Sequence, residues 1–370
     1  MSALSIRIIN NINIFTLIIV LLTIYLNADI GFSYDYQYYN LYISQILLSS
    51  YEDLKYLQDG IYIRLSSSAG IEFGFVYIIK LISSVLSDEI QIYAVIATAS
   101  LMLKVYVYRA YGVSWPWVYL MVVYSGVLLE SNALRSGLSL SLFMCAMLLL
   151  DNKRNFYAVV LFIMSAIVHV QAIFFILLFF TYYIFYMNSL FKKSSGTILI
   201  FILSMFAGVF VNLVVDHFIT GKFSAYKANA SSSSGLSITS FFVMLSFSYY
   251  LYRMMLLRSI QYEGNEINKS RILMLVPVVS IYVLVTSISA LGDRLWQWGM
   301  VLLVLFVFNY LKSRKDIVLI ISGVKFSIGK ILLAINILLV ITGIVFRYPL
   351  SNFFSPLLPY IDFSLLGFGQ

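Results

Sequence analysis

Cysteine is almost absent. Cys145 stands alone in 370 residues, inside an apolar run. A disulfide framework and a thiolate metal site are thereby excluded. Charge is nearly as scarce. Asp, Glu, Lys and Arg make up 11% of the chain, against roughly 25% in soluble domains, which excludes an ordinary soluble fold. Histidine is limited to His169 and His217. Neither has a carboxylate cluster beside it in sequence, so no metal site is expected. The chain also lacks a glycine-rich phosphate loop and a metalloprotease-type HExxH pattern, and no Ser-His-Asp order can be argued from it.

Apolar sequence fills the space. Hydrophobic residues make up 61% and aromatics 17%, and mean hydropathy is +0.93. Apolar runs of about 20 residues recur along the whole length, and each can cross a hydrocarbon core of about 30 Å as a helix. The runs are continuous rather than alternating, which argues against a barrel. The net charge of +8 sits in short breaks between runs, as orientation signals do, so nucleic acid is not an expected partner. These features predict an all-α polytopic integral membrane protein forming a single membrane domain over 1–370.

The first run, 8–26, follows Arg7 and reads as a spanning helix with a cytoplasmic N-terminus, since it lacks a small-residue cleavage site. The segment 27–88 reads as a periplasmic loop with a half-helix. It is acid-rich, and its cluster Tyr34, Tyr36, Tyr38, Tyr39 and Tyr42 is either an interfacial aromatic belt or a surface for stacking on sugars. Within it, residues 71–86 are short and carry Lys80. If they spanned, Lys104, Arg109 and all later basic breaks would lie outside. A re-entrant or surface-lying helix restores the positive-inside pattern. Spans are then expected at 89–108, 113–129, 135–150, 156–168, 170–187, 197–215, 237–257, 272–291 and 295–311, followed by a last run ending near Phe346. The total is about 11 transmembrane helices. Residues 216–236 and the tail 347–370 are expected on the periplasmic side.

This topology collects Glu72, Glu130, Arg135, His169, Asp293 and Arg294 at one membrane face. Ionisable groups inside a membrane are rare and are candidates for function. Arg135 opens a run of small residues, Ser136, Gly137, Ser139 and Ser141, which lets helices approach closely. A guanidinium matches phosphate oxygens bidentately, so Arg135 and Arg294 are candidate diphosphate ligands, unless each is simply paired to Glu130 or Asp293. Residues 156–187 are too long for one span, and a turn at His169 would place its imidazole at the face, where it can take a proton from a hydroxyl. Glu72 and Asp35 are further general-base candidates. Glu130, Asp293 and Tyr36 are candidate supporting residues.

The chain resembles the Wzy-type O-antigen polymerases and, within them, the EpsG-like exopolysaccharide polymerases. The resemblance is carried by Asp35-Tyr36-Gln37-Tyr38-Tyr39, Glu72-Phe73-Gly74-Phe75, Leu134-Arg135-Ser136-Gly137-Leu138-Ser139, Ile167-Val168-His169-Val170-Gln171-Ala172 and Gly292-Asp293-Arg294. Ser136 and Val170 depart from the residues expected after the arginine and the histidine. The resemblance implies a glycosyltransferase of the bacterial inner membrane, active on its periplasmic side. It would move a growing glycan from an undecaprenyl-diphosphate carrier onto the next carrier-linked repeat unit. Arg135 and Arg294 would hold the diphosphate, and His169 or a nearby carboxylate would activate the acceptor hydroxyl. No cofactor is implied, and the partners would be membrane lipid and a chain-length regulator.

Three other readings compete. A lipid-linked oligosaccharide flippase or other transporter would show internal repeats and arginines along a central cavity; no repeat is evident here. An O-antigen ligase or a polyprenyl-phosphate-dependent glycosyltransferase could use the same arginines and histidine. A scaffold without activity would use Arg135 for stability alone.

Overall fold

The computed structural model describes residues 18, 34–60, 62–63, 65, 71–130, 133–173, 175–176, 180, 298, 301–302, 318–321, 324–327, 330–331 and 334–335. The chain forms two compact units. One comprises Met1–Ala110, Ser114–Ala172 and Val340–Gln370, and the other Tyr111–Val113 with Ile173–Leu339.

Four helices form the described core of the first unit: α4 (Glu89–Ala110), α5 (Trp115–Ser125), α6 (Leu134–Asp151) and α7 (Asn155–Val168). By length and composition α4 and α6 can each cross a membrane. At 1.5 Å per residue they are about 33 and 27 Å long. The chain alternates direction through short breaks. The α6–α7 turn places Lys153 at a positive φ of 59°, a conformation few side chains adopt. α5 continues into a π-helical turn, Gly126–Glu130. α4 and α6 run parallel, because Tyr93 near the start of α4 donates to the Glu130 carbonyl (2.5 Å) just before α6, and Ser100 lies 2.8 Å from Ser141 further along. Arg109, Lys153 and Arg154 therefore share the opposite end from Arg135.

Small residues set the spacing, as expected for α6. Ser139 Oγ donates to the Ser165 carbonyl (2.8 Å) and Ser165 Oγ returns a bond to the Ser139 carbonyl (2.7 Å), joining α6 to α7. Ser141 Oγ reaches the Ser100 carbonyl of α4 at 2.9 Å. Bonds of this kind between membrane helices contribute about 0.6 kcal/mol each, so close packing counts for more than any one of them.

Ahead of α4 the chain builds a cap. It contains α1 (Tyr34–Leu48), α2 (Tyr51–Tyr56), strands β1 (Gln58–Asp59), β2 (Tyr62–Ile63) and β3 (Ile71–Glu72), and α3 (Phe73–Ile82). The strands pair antiparallel in the order β1-β2-β3, with Tyr62 opposite Glu72. α1 runs antiparallel to the start of α4: the Tyr39 ring meets Tyr93, and Ser44 donates to Glu89. α3 runs alongside α1, with Phe75 against Tyr39, and Lys80 Nζ donates to the carbonyls of Ile46, Leu47 and Ser49 at 3.2, 3.3 and 2.5 Å. Those carbonyls are orphans of the α1 C-terminus, a preferred site for a lysine. The charge that made 71–86 awkward as a span is thus spent on a helix end. At about 15 Å, α3 is half the length needed to cross.

Two expectations change. Lys104, counted with Arg109 among the charges that mark orientation, is instead turned inward: it is 1% exposed within α4. The last long apolar run is not helical throughout, because Val318–Ile321 (β4) and Val324–Ser327 (β5) form an antiparallel hairpin in the second unit. The β-branched and aromatic residues of Val318-Leu319-Ile320-Ile321 and Val324-Lys325-Phe326 suit strands. In the same unit Phe175 stacks on Trp298 at 4.6 Å between ring centroids. Most of each remaining expected span, and all of the loop 216–236 and the tail 347–370, lie outside the described residues.

Candidate active site

Three chain segments meet where the cap joins the helices. β3 ends at Glu72, which is also the N-cap position of α3. α6 opens one residue before Arg135, and α7 stops at Val168 because His169 turns to extended backbone (φ −154°, ψ 122°). Helical backbone resumes at Gln171. The break expected at the histidine is therefore present.

Glu72 is the hub. Arg135 Nη1 donates to its Oε2 in an ion pair. His169 Nδ1 lies 2.8 Å from its Oε1, and the Val170 amide donates to the same oxygen at 3.4 Å. Burial alone would push the Glu72 carboxyl up. The bond from His169 and the charge of Arg135 outweigh it and hold Glu72 well below the usual carboxylate range. Glu72 is therefore ionised. An ionised carboxylate accepts and cannot donate, so Nδ1 of His169 carries a proton toward Glu72, and the neutral form of the ring would hold its lone pair on Nε2. This is the arrangement by which a carboxylate orients a histidine base.

Packing fixes the geometry. A Cβ added to Gly74 would stand 2.7 Å from the Ile167 carbonyl oxygen, so glycine lets α3 lie directly on the last turn of α7. Tyr39 is buried between Phe75 and Tyr93, and its hydroxyl accepts from the Arg135 amide at 3.5 Å. For Tyr39, then, the role is a wedge beneath Arg135, neither an interfacial belt nor a sugar platform. Tyr62, across the sheet from Glu72, has its phenol pushed up by burial and then by the Glu72 charge.

Glu130, a candidate supporting residue and the alternative partner of Arg135, is elsewhere. Its carboxylate turns into the bundle, where Lys104 pairs with it and Ser100 Oγ donates to it at 2.7 Å. Gly137 makes the room, since a Cβ there would stand 2.8 Å from Glu130 Oε1. The physical reason is the π turn, which rotates Glu130 inward while the cap delivers Glu72 to Arg135. A lysine in an apolar run, followed by a glutamate before the next run, was a legible sign of an internal pair.

Asp35 and Tyr36 lie in the first turn of α1, within one turn of Tyr39, and their side chains are outside the described set. Asp293, Arg294 and His217 are outside the described residues. Among the described residues no group of three or more His, Cys, Asp and Glu could hold a metal ion.

A family model, described as the EpsG family, matches residues 11–360. The chain belongs to the EpsG family. That membership and the apolar helices α4 and α6 identify a membrane protein. The curated proteins and the solved structures yield no match. In this EpsG-family chain the matched region contains the whole Glu72–Arg135–His169 cluster and both elements of the Lys104–Glu130 pair.

Proposed function

We propose that this EpsG-family chain polymerises oligosaccharide repeat units carried on undecaprenyl diphosphate, by glycosyl transfer at the periplasmic face of the inner membrane. The observation that carries the reading is the joining of a histidine base, its orienting carboxylate and an arginine at one end of the helices.

The chemistry follows from those groups. The acceptor hydroxyl oxygen attacks the anomeric carbon of the donor glycan, and the bond from that carbon to the carrier diphosphate breaks. His169 Nε2 takes the hydroxyl proton. Glu72 holds the ring in the productive tautomer and stabilises the imidazolium that forms. Undecaprenyl diphosphate departs with the bonding electron pair, and its developing charge is stabilised by the Arg135 guanidinium. By resemblance Arg294 would be a second guanidinium on the diphosphate, and Asp35 is a further general-base candidate. No nucleotide sugar is needed, because the carrier diphosphate is itself the leaving group.

Orientation is part of the proposal. Arg109, Lys153 and Arg154 at one end satisfy the positive-inside rule if that end is cytoplasmic. The cap and the site then face the periplasm, where lipid-linked units and a chain-length regulator would meet the protein.

The test is carried out in cells that make the polymer, with the chain deleted and variants supplied. Arg135→Ala and His169→Ala should reach the membrane, yield no polymer, and leave single repeat units accumulating on lipid. Polymer of normal length from both variants would overturn the site. Normal polymer from the deletion strain itself would overturn the function.

A further inference from the structure

Two buried donors beside the Glu72 cluster have no partner among the described residues. One is Arg135 Nε, on the guanidinium whose Nη1 is taken by Glu72. The other is the side-chain amide of Gln171, two residues beyond His169. Gln171 is 9% exposed, Ser136 Oγ donates to its Oε1 at 3.4 Å, and its Nε2 has no hydrogen-bond partner among the described residues. Ser136 adjoins Arg135 in sequence and thus ties the two donors to the same corner of the site. Buried polar groups are nearly always satisfied, and each one left bare costs about 1–3 kcal/mol.

A helix that needed only to pack could place leucine or methionine at position 171. Instead the chain keeps a carboxamide there, with one end held by Ser136. Arg135 Nε can only donate. A ligand atom that satisfies it must be an acceptor, and an acceptor beside a guanidinium is best anionic.

We infer that Gln171 Nε2 and Arg135 Nε together bind an oxygen of the carrier diphosphate. Gln171 is then a substrate-binding residue, with Ser136 setting the direction of its amide. The inference rests on the lipid-diphosphate reading proposed above. The division of labour is simple: Arg135 supplies charge, and Gln171 supplies a directed donor that fixes which diphosphate oxygen faces the guanidinium.

Binding is the test, because it does not depend on turnover. Purified full-length protein in nanodiscs is titrated with undecaprenyl diphosphate bearing no sugar. Gln171→Leu removes the amide at similar volume. Gln171→Glu keeps the shape and sets a carboxylate oxygen where Nε2 stood. A hydrogen bond to a charged group is worth about 1.5–3 kcal/mol, so Gln171→Leu should weaken binding about ten- to a hundredfold. Gln171→Glu should weaken it at least as much, and Ser136→Ala less than either. Unchanged affinity in both Gln171 variants, or no binding by the wild type, overturns the inference. Weakened binding by the Gln171 variants, beside a wild type that binds but forms no polymer, would leave the inference standing and sink the polymerase reading instead.

Discussion

Gly74→Ala is the sharpest perturbation of the site that touches none of its polar groups. A Cβ at position 74 would lie 2.7 Å from Ile167 O, 2.8 Å from Ile167 C and 3.1 Å from Ile167 Cβ. The two nearest atoms are backbone and cannot swing aside. Ordinary contact begins at 3.4 Å, so α3 and α7 must part by about 0.7 Å. Glu72 moves with α3 and His169 with α7. Their 2.8 Å bond would lengthen toward about 3.5 Å, where a hydrogen bond is weak. Overpacking of this size costs about 1–3 kcal/mol, so the protein should still accumulate in the membrane. Misplacement by about 1 Å can lower a rate on the order of 100-fold. The assay is the initial rate of chain extension per amount of purified protein, with thermal stability measured alongside. Ile167→Ala should not rescue, because the obstructing atoms belong to the main chain. A Gly74→Ala protein with the wild-type rate would refute the argument that α3–α7 contact positions the histidine.

Lys104→Met should sharply lower the yield of folded protein, because removing one partner of a buried pair costs about 3–5 kcal/mol; Lys104→Met with Glu130→Gln should recover much of it, and a double variant as unstable as the single would contradict the pairing. Glu72→Gln tests the sign of the Glu72 shift. A carboxylate held low in the folded protein contributes stability above the unfolded value, near 4.5, and loses it as pH falls. The difference in melting temperature between wild type and Glu72→Gln should therefore hold steady above that pH and shrink below it, and a gap that widens with acid would reverse the assignment. For orientation, Tyr56→Cys and Lys153→Cys, made with Cys145→Ala, should react with an impermeant thiol reagent from opposite sides of the membrane. Both positions are exposed and belong to opposite ends of the helices, so labelling from one side would break the topology.

Much of this was legible in order along the chain. The helix containing Arg135, the basic break at Asp151–Arg154, the shortness of 71–86 and the interruption at His169 all follow from run length and small-residue spacing. The partner of Arg135 was not. Glu130 is close in sequence, whereas Glu72 lies 63 residues away, and one extra residue in a π turn decides which carboxylate faces the arginine. Lys104 was misread for a related reason. Composition cannot distinguish a lysine at a helix end from one turned inward onto a distant glutamate. Tyr39 was one of five tyrosines in a cluster, and its burial depends on Phe75 and Tyr93, which arrive from later elements. The hairpin at 318–327 was hidden inside an apolar run, where periodicity alone does not separate strand from helix.

The central claim is that one site, built on Glu72, Arg135 and His169, extends a lipid-linked glycan. Purified protein in nanodiscs, given undecaprenyl-diphosphate-linked repeat unit and no nucleotide sugar, should produce a ladder of products on a gel. The ladder should vanish with Arg135→Ala and His169→Ala while both variants remain folded. A single shifted band would indicate one transfer per substrate, as in a ligase. No product, with the substrate instead moved across the membrane of a vesicle, would contradict the account and indicate a transporter.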